Sequence, residues 1–453
     1  MRSTLRSTGP SPRRRAWLSL VVLLGWLAGL APASADAGVL DHERYPLDNG
    51  LDVVLHVDRR LPLVAVNLTY HVGTMHDGEH PGLAHLVEHL MFRGTRHMDD
   101  GELFSRLFEA GGRGTNASTR HDLTTYHTVV PAAQLPLALW LESDRMAHVL
   151  PVITDQKVQQ EIETTIDEWE DRVQSERDGP TAEAMWGALF PPGHPFHPVR
   201  PEAIAQLQPQ HARDFVRRHV GPANATLVLA GDLPSDVRDQ VQRYFGRRQG
   251  GAAPATPPGL VRTLTEEERV VTQSALAKIP MVLVAWVTPG LYAPGDAEAD
   301  VLAATLEADR LASMVEAEAP EQWLSIHARQ FSRLEQSVFV ISAQGVASAS
   351  PLRMLAAIDA VLERLRTQSL QPADVRRARR RFTIDTLRGL QRLEGRAARM
   401  QLYVGAGKDP DWLDADLARY DAVDERAVGA FVRDHLPLDR RVVVLSYPAK
   451  ESR

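Results

Sequence analysis

The sequence of 453 residues contains no cysteine at all. This absence excludes disulfide bonds, thiolate catalysis and cysteine-ligated zinc, so any metal site must be built from His, Asp and Glu. It also excludes a lipid anchor on an N-terminal cysteine. Hydrophobic residues make up 44% and charged residues 24%, which is ordinary globular composition, and the length suffices for two or three domains.

Residues 1–35 have the pattern of an export signal. Five arginines precede the apolar block "AWLSLVVLLGWLAGLA", and the small-residue site "ASA" follows it. This pattern predicts a cleaved signal, and hence a periplasmic or secreted protein without a stable membrane anchor. The block is shorter than the ~20 residues of a spanning helix, although an uncleaved anchor is the alternative. "RRAWL" also resembles a twin-arginine signal, so both export routes stay open.

The charge balance argues against a nucleic-acid partner. Removal of residues 1–35 takes away five arginines and no acid, so the formal net charge changes from −7 to −12. Nucleic-acid binding needs basic patches, and an acidic mature protein does not favour it. The run "RRARRR" is better interpreted as the solvated face of a helix.

Two halves of similar plan are predicted on either side of a Pro/Gly/Ala-rich segment. The segment "GGAAPATPPG" suggests a linker at residues 251–259, between an N-terminal domain (36–250) and a C-terminal domain (260–453). Strand and helix patterns alternate in both halves. The predicted fold class is therefore α+β, with two similar α/β domains, each a mixed or antiparallel sheet with helices packed on it.

Four local patterns in the first half matter for the site. "YPLDNGLDVVLHV" predicts a hairpin with an Asn-Gly turn, and "LVAVNLTYHVG" predicts a second strand. A helix is predicted at residues 81–92, with its proline in the first turn. "TNASTRHDLTTYHTVV" is predicted to continue as strand.

The predicted helix at residues 81–92 contains the motif His-Leu-Val-Glu-His. Residues four apart share one helix face, so His85 and His89 can direct both imidazoles at one metal ion. Glu88 lies beside them, where it can contact a water. Hydrolytic zinc sites have three protein ligands, so a third ligand is needed. The alternative is a helix with incidental histidines in a binding module, which predicts no bound metal.

The surrounding sequence resembles the pitrilysin/insulinase family of zinc peptidases. The resemblance rests on "GLAHLVEHLMFRGT", "GGRGTNASTRHDLTTYHTVV", "FPPGHPFHP" and "VGPANATLVLAGDL". It implies one Zn²⁺ per chain, His85 and His89 as ligands, Glu88 as general base and a chain that forms half of a clamshell chamber. It also implies a third ligand from a later pair of glutamates seven residues apart.

That glutamate pair is found in "EIETTIDE". The resemblance implies that Glu168 is the third ligand and that Glu161 supports the catalytic site, since seven residues make two helical turns and share a face. Glu163 and Glu170 repeat the spacing, so this alternative register stays open.

The peptide substrate is expected to pair with an edge strand. The resemblance implies that Asn116 and Ala117 lie on this strand, where they bind an extended peptide by strand addition. As the alternative, Asn116 is a turn residue. Four other histidines are predicted to be loop or surface residues and not ligands: His121, His127, His194 and His197.

One part of the family's apparatus is missing from this chain. The family carries an Arg-x6-Tyr pair that holds the substrate and the developing oxyanion, but here the corresponding positions are Glu316 and Trp323. A glutamate cannot donate to an oxyanion. The resemblance therefore predicts a heterodimer with a related subunit that supplies the pair; a homodimer with other donors is the alternative.

The sequence as a whole predicts an exported zinc metalloendopeptidase that cleaves peptides or small unfolded polypeptides. Its alternative is a catalytically silent assembly or binding subunit of the same fold. Retention of all three motif residues, His85, Glu88 and His89, favours the peptidase.

Overall fold

The computed structural model describes residues 38–175, 178–253, 261–274, 279–307, 310–368 and 370–449. The predicted export signal at residues 1–35 and most of the predicted linker lie outside the described residues. No helix in the described part of the chain is long and apolar enough to cross a membrane.

The first sheet is mixed and has six strands in the order β1-β2-β6-β3-β5-β4. Their bounds are β1 Glu43–Pro46, β2 Asp52–Val57, β3 Leu63–Tyr70, β4 Arg113–Thr119, β5 Thr124–Pro131 and β6 Ala225–Gly231. β1 and β2 form the predicted hairpin, with Gly50 at φ +91° in its turn, a conformation that glycine adopts freely. β6 is buried along its whole length, parallel to β2 and antiparallel to β3.

The predicted continuous strand in "TNASTRHDLTTYHTVV" is wrong, because the segment forms a hairpin. β4 and β5 pair antiparallel, and the chain reverses where the Arg120 backbone N–H donates to the Leu123 carbonyl at 2.7 Å. β4 is one of the two edge strands of the sheet, and β1 is the other. An edge strand presents unpaired backbone groups to which another chain can be added.

The second sheet has five strands in the order β7-β11-β8-β10-β9. Their bounds are β7 Glu268–Ser274, β8 Met281–Pro289, β9 Trp323–Phe331, β10 Gln336–Gly345 and β11 Val442–Pro448. β11, the last strand in the chain, pairs parallel with β7 and antiparallel with β8. The prediction of two α/β domains, each with a mixed sheet and helices, is confirmed.

Fifteen α-helices cover the two sheets in the described residues. Their bounds are α1 Leu83–Leu90, α2 Glu102–Glu109, α3 Leu135–His148, α4 Asp155–Glu170, α5 Gly179–Leu189, α6 Pro201–Ile204, α7 Pro209–His219, α8 Val237–Phe245, α9 Asp296–Leu306, α10 Arg310–Glu318, α11 Pro351–Thr367, α12 Pro372–Gly389, α13 Leu393–Gly405, α14 Leu413–Asp421 and α15 Glu425–His435. A π-helical turn, Asp171–Ser175, continues α4. The basic run "RRARRR" lies in α12.

Each half of the chain contributes a helix to the core of the other half. α13 comes from the C-terminal half, but its buried side chains, including Met400 and Tyr403, pack in one apolar cluster with Val54 and Val228 of the first sheet. α5 comes from the N-terminal half and packs on the second sheet. This exchange joins the two units through buried apolar surface, which is the dominant stabilising contribution in a protein core.

Candidate active site

The helix that carries the histidine motif is fixed at its N-terminus by a buried carboxylate. Asp77 accepts hydrogen bonds from the backbone N–H groups of Gly82 (2.7 Å) and Ala84 (2.8 Å), donors that have no partner within the helix. Burial raises the pKa of Asp77 to about 7, although these backbone bonds oppose the shift. Pro81 precedes the N-cap Gly82, at φ +92°, so the prediction of proline in the first turn is wrong.

The apolar face of α1 determines where the histidines lie. Leu83, Leu86 and Leu90 are buried in the core of the first unit. His85 and His89 occupy the remaining face, which packs against α4. The amphipathic pattern of eight residues therefore orients both imidazoles towards the glutamates of α4.

Three side chains from α1 and α4 converge. The Nε2 atoms of His85 and His89 lie 3.3 Å apart. The Oε2 atom of Glu168 lies 3.6 Å from His85 Nε2, and its Oε1 atom lies 3.6 Å from His89 Nε2. These three residues offer ligand atoms that all lie within 4.8 Å of one another. The converging group contains Glu168, whereas the alternatives Glu163 and Glu170 lie outside it.

Two other groups of this kind occur in the described residues: His97, Asp144 and His148, and His42, Asp409 and Asp411. In the first, a guanidinium nitrogen of Arg248 lies 3.1 Å from His148 Nε2, and this positive charge disfavours a cation there. Neither group includes a residue of the histidine motif.

The buried Glu161 orients one of the histidines. Glu161 Oε2 lies 2.9 Å from His89 Nδ1, and its other oxygen accepts a hydrogen bond from Arg93. When His89 Nδ1 carries the proton and donates a hydrogen bond to Glu161, the Nε2 atom keeps a free lone pair. Burial alone would lower the pKa of His89, but the hydrogen bond to Glu161 and the neighbouring carboxylates raise it.

His85 is held in its neutral form. Burial and the neighbouring His89 lower the pKa of His85 to about 4. A neutral imidazole at pH 7 has a lone pair for a metal, and it need not lose a proton before binding.

The third motif residue, Glu88, is buried and poorly hydrogen-bonded. Its Oε2 atom has no hydrogen-bond partner among the described residues. Burial raises the pKa of Glu88, although hydrogen bonds from Thr119 oppose this shift. A carboxylate with a raised pKa accepts a proton more readily than an exposed one, which is the property required of a general base that later acts as an acid.

A cavity of about 1030 Å³ begins at two of the three candidate ligands. His85 and Glu168 line one part of it, and Thr119 and Arg120 at the end of β4 line another. Three of the histidines predicted to be loop or surface residues line it as well: His121, His194 and His197. All three lie in loops, which agrees with the prediction, and they are half-buried at the cavity wall.

The two predicted substrate-binding residues lie on the edge strand β4. Asn116 is exposed, whereas the side chain of Ala117 is buried in the core, so any contact of Ala117 with a peptide would be through its backbone. Neither residue lines the cavity. The alternative that Asn116 is a turn residue is wrong, because it pairs with His127 within the sheet.

The positions that correspond to the missing Arg/Tyr pair have local structural contacts. Glu316, in α10, accepts a hydrogen bond from the backbone N–H of Glu321 at 3.0 Å. The indole N–H of Trp323 donates to the Ala319 carbonyl at 2.8 Å. Trp323 therefore has no further donor for an oxyanion, since indole carries a single N–H.

Sequence reasoning missed two residues that support the site. Arg93 lies beyond the end of α1, where helical spacing gives no signal, and its hydrogen bond to Glu161 joins segments far apart in the chain. No sequence pattern indicated a role for Asp77, because its contact with the N-terminus of α1 depends on the conformation of the turns between them. Thr119 lies within a segment that carries the family resemblance, but its hydrogen bond to Glu88 was not predicted.

Two models of one peptidase family match the chain. The model described as insulinase (peptidase family M16) matches residues 52–186, and the model described as the peptidase M16 inactive domain matches residues 206–382. Together they cover more than half of the chain.

Individual relatives agree with these matches. The zinc protease PqqE of Helicobacter pylori is 24% identical over 387 residues, which is 81% of this chain and 83% of that protein. The crystal structure of a protease from Helicobacter pylori superposes with a TM-score of 0.81 at 20% identity, over 90% of this chain and 99% of that chain. The periplasmic protease PqqL from Escherichia coli gives a TM-score of 0.73 at 16% identity, over 90% of this chain but only 47% of that chain. This chain belongs to the insulinase family of peptidases, family M16.

Proposed function

We propose that this protein is an exported zinc metalloendopeptidase that cleaves peptides or small unfolded polypeptides. The observation that carries the proposal is the convergence of His85, His89 and Glu168 beside the buried, unpaired carboxylate oxygen of Glu88. A ligand group and a general base on the same two helices are the parts that metal-assisted hydrolysis requires.

The donor set fits one zinc ion per chain. Two imidazole nitrogens and a carboxylate oxygen are ligands that zinc accepts in hydrolytic sites, with a position left for water. His85 is neutral at pH 7, and His89 is oriented by Glu161, so both Nε2 atoms can act as donors. Bound zinc would supply Lewis acidity and lower the pKa of water at this site.

The residues of the chain would then move the proton. Glu88 accepts a proton from the attacking water and delivers it to the leaving amine, because burial has raised its pKa above that of an exposed glutamate. Thr119 holds this carboxylate in place. The exposed Asn116 and the backbone of Ala117, on the edge strand, would hold the peptide by strand addition.

The proposed assembly is a heterodimer with a related subunit. Two features support it: Glu316 replaces an arginine, and the only side-chain donor of Trp323 is already bonded to Ala319. A sister subunit would supply oxyanion donors and close the chamber around the substrate. A homodimer that uses other donors is the alternative assembly.

The proposed location is the periplasm or the exterior of the cell. The sequence pattern of residues 1–35 supports export. The similar PqqL from Escherichia coli is described as a periplasmic protease, which agrees with this location.

Substitution of the base tests the proposal. Glu88→Gln is expected to retain zinc but to lose peptide hydrolysis, whereas His85→Ala is expected to lose both. Hydrolysis of a mixed peptide library and zinc content are the measurements, with Glu79→Gln, an exposed glutamate nearby, as the control. Full activity of Glu88→Gln would show that the base is assigned wrongly.

The assembly is tested separately with purified residues 36–453. Analytical ultracentrifugation gives the mass of the protein in solution and hence the number of subunits. A peptidase assay follows on the same sample. A monomer that binds zinc but cleaves no peptide supports the heterodimer, and chelator-sensitive cleavage by the lone chain contradicts an obligatory partner.

A further inference from the structure

A half-buried arginine from the second unit lines the cavity that begins at the candidate metal site. Arg333 lies in the turn between β9 and β10, and it lines the same cavity as His85 and Glu168. Both polar groups of its backbone are hydrogen-bonded. The Arg333 N–H donates to Ser337 Oγ at 3.2 Å, and the Arg333 carbonyl accepts from the Leu291 N–H at 2.7 Å.

Three aromatic rings from the first unit surround the guanidinium of Arg333. The guanidinium carbon lies 4.6 Å from the ring centre of Trp186, 4.9 Å from that of Phe196 and 5.4 Å from that of Phe190. These cation–π contacts hold the planar group in one orientation. The guanidinium is therefore preorganised before any ligand enters.

The charge of Asp122 acts on Arg333 and raises its pKa, but the two side chains form no ion pair. In the described part of the chain, no carboxylate forms an ion pair with Arg333, and its Nη1 atom has no hydrogen-bond partner. Arg200 lines the same cavity but forms an ion pair, with its Nη2 atom 3.3 Å from Glu183 Oε1. Burial lowers the pKa of Arg333 to about 10, so the side chain remains charged at pH 7.

A half-buried cation that forms no ion pair has lost part of its hydration without a carboxylate in contact to replace it. An anion in the cavity would supply this contact and accept the free N–H groups. The anions that peptides carry are carboxylates, and a carboxylate matches the paired donors of a guanidinium.

We propose that Arg333 binds a carboxylate of the peptide substrate in this cavity. The carboxylate comes either from an acidic side chain or from a free C-terminus, and the protein selects peptides that present one there. This inference rests on the proposed peptidase function, whose substrate class it narrows.

The test measures binding without catalysis. Isothermal titration calorimetry measures the binding of short N-acetylated, alanine-rich peptides to zinc-loaded Glu88→Gln protein. The neutral peptide contains glutamine and a C-terminal amide and has no carboxylate. The second kind places glutamate at each position in turn and keeps the amide, and the third keeps glutamine and has a free C-terminus. A charge-assisted contact predicts that one carboxylate-bearing kind binds about tenfold or more tightly than the neutral peptide. The carboxylate-bearing peptide that binds more tightly than the neutral one shows whether the carboxylate comes from a side chain or from the C-terminus.

Two substitutions in the same background assign the effect. Arg333→Gln is expected to abolish the preference for the carboxylate. Arg120→Gln, which removes the same charge from an exposed position on the cavity wall, is expected to retain it. If Arg333→Gln does not fold, Arg333→Lys is used, and a reduced preference is expected because lysine keeps the charge but lacks the planar pair of donors.

The inference is overturned if no carboxylate peptide binds more tightly than the neutral one. It is also overturned if the preference survives Arg333→Gln, is unchanged in Arg333→Lys, or is lost equally in Arg120→Gln. Since calorimetry needs no turnover, absent hydrolysis with an intact preference counts against the proposed function alone. Intact hydrolysis without a preference counts against this inference alone.

Discussion

Glu161→Gln is expected to weaken zinc binding without unfolding the protein. In the structure, one oxygen of Glu161 faces His89 Nδ1 at 2.9 Å and the other accepts from Arg93. Glutamine has a single acceptor oxygen, so its amide NH₂ must face one of these two donors. The substitution also removes the negative charge that stabilises a proton on His89 Nδ1.

The expected size of the effect follows from these contacts. Loss of a carboxylate that orients a metal-ligating histidine costs about 10- to 100-fold in metal affinity. This corresponds to about 1.4–2.7 kcal/mol in the free energy of zinc binding. Because Glu161 is only 5% exposed, water cannot easily replace the lost contacts.

Competition between the protein and a chromophoric zinc chelator at pH 7 measures this affinity. Glu163→Gln is the matched control, since Glu163 is exposed on the same helix and accepts only from Gln159 at 3.1 Å. Its zinc affinity should stay within about twofold of the parent. A loss in Glu163→Gln with none in Glu161→Gln would refute the reasoning and favour the alternative glutamate register.

Four further predictions concern the fold. Glu321→Gly should raise the free energy of unfolding by about 0.5–1 kcal/mol, because Glu321 has φ +64°, which disfavours a side chain; thermal unfolding measures the change. Met400→Ala should lower that free energy by about 2–5 kcal/mol, since Met400 is 0% exposed on the buried face of α13; urea unfolding checks it. Proteolytic cleavage within residues 250–259 should leave both fragments associated on size exclusion, and their separation would contradict the helix exchange. The Arg60 guanidinium lowers the pKa of Asp58 from 3.8 to about 2, so this carboxylate stabilises the fold above pH 4 and the contribution disappears as the pH falls towards 2. Thermal unfolding of Asp58→Asn should therefore show a deficit at pH 7 that shrinks below pH 3.

The active-site helix was predictable because its signals are local. Periodic leucines fixed the buried face of α1, and the spacing of His85 and His89 then placed both rings on the other face. The Asn-Gly turn fixed the first hairpin in the same way. In these segments, chain neighbours within one or two turns determine the geometry.

The glutamate register could not be decided from spacing, since two pairs in α4 share it. Burial of Val158, Ile162 and Thr165 determines which face of α4 points inward, and Glu161 lies on that face. This packing involves residues far apart in the chain. The hairpin between β4 and β5 was missed because no glycine or Asn-Gly pair marks its turn.

The exchange of helices between the halves had no sequence signal either. α13 is amphipathic, but its periodicity does not specify which sheet it covers. Residues in α13 contact β3, more than 300 positions earlier in the chain. Long-range packing of this kind depends on the whole tertiary structure.

The zinc content of the purified protein shows whether the three candidate ligands form a metal site. Metal analysis of purified residues 36–453, compared with Glu168→Gln and with Glu170→Gln, asks whether His85, His89 and Glu168 form one site. We predict one zinc per chain in the parent and in Glu170→Gln, and a large loss of zinc in Glu168→Gln. A parent without zinc, or an unchanged stoichiometry and affinity in Glu168→Gln, would contradict the account.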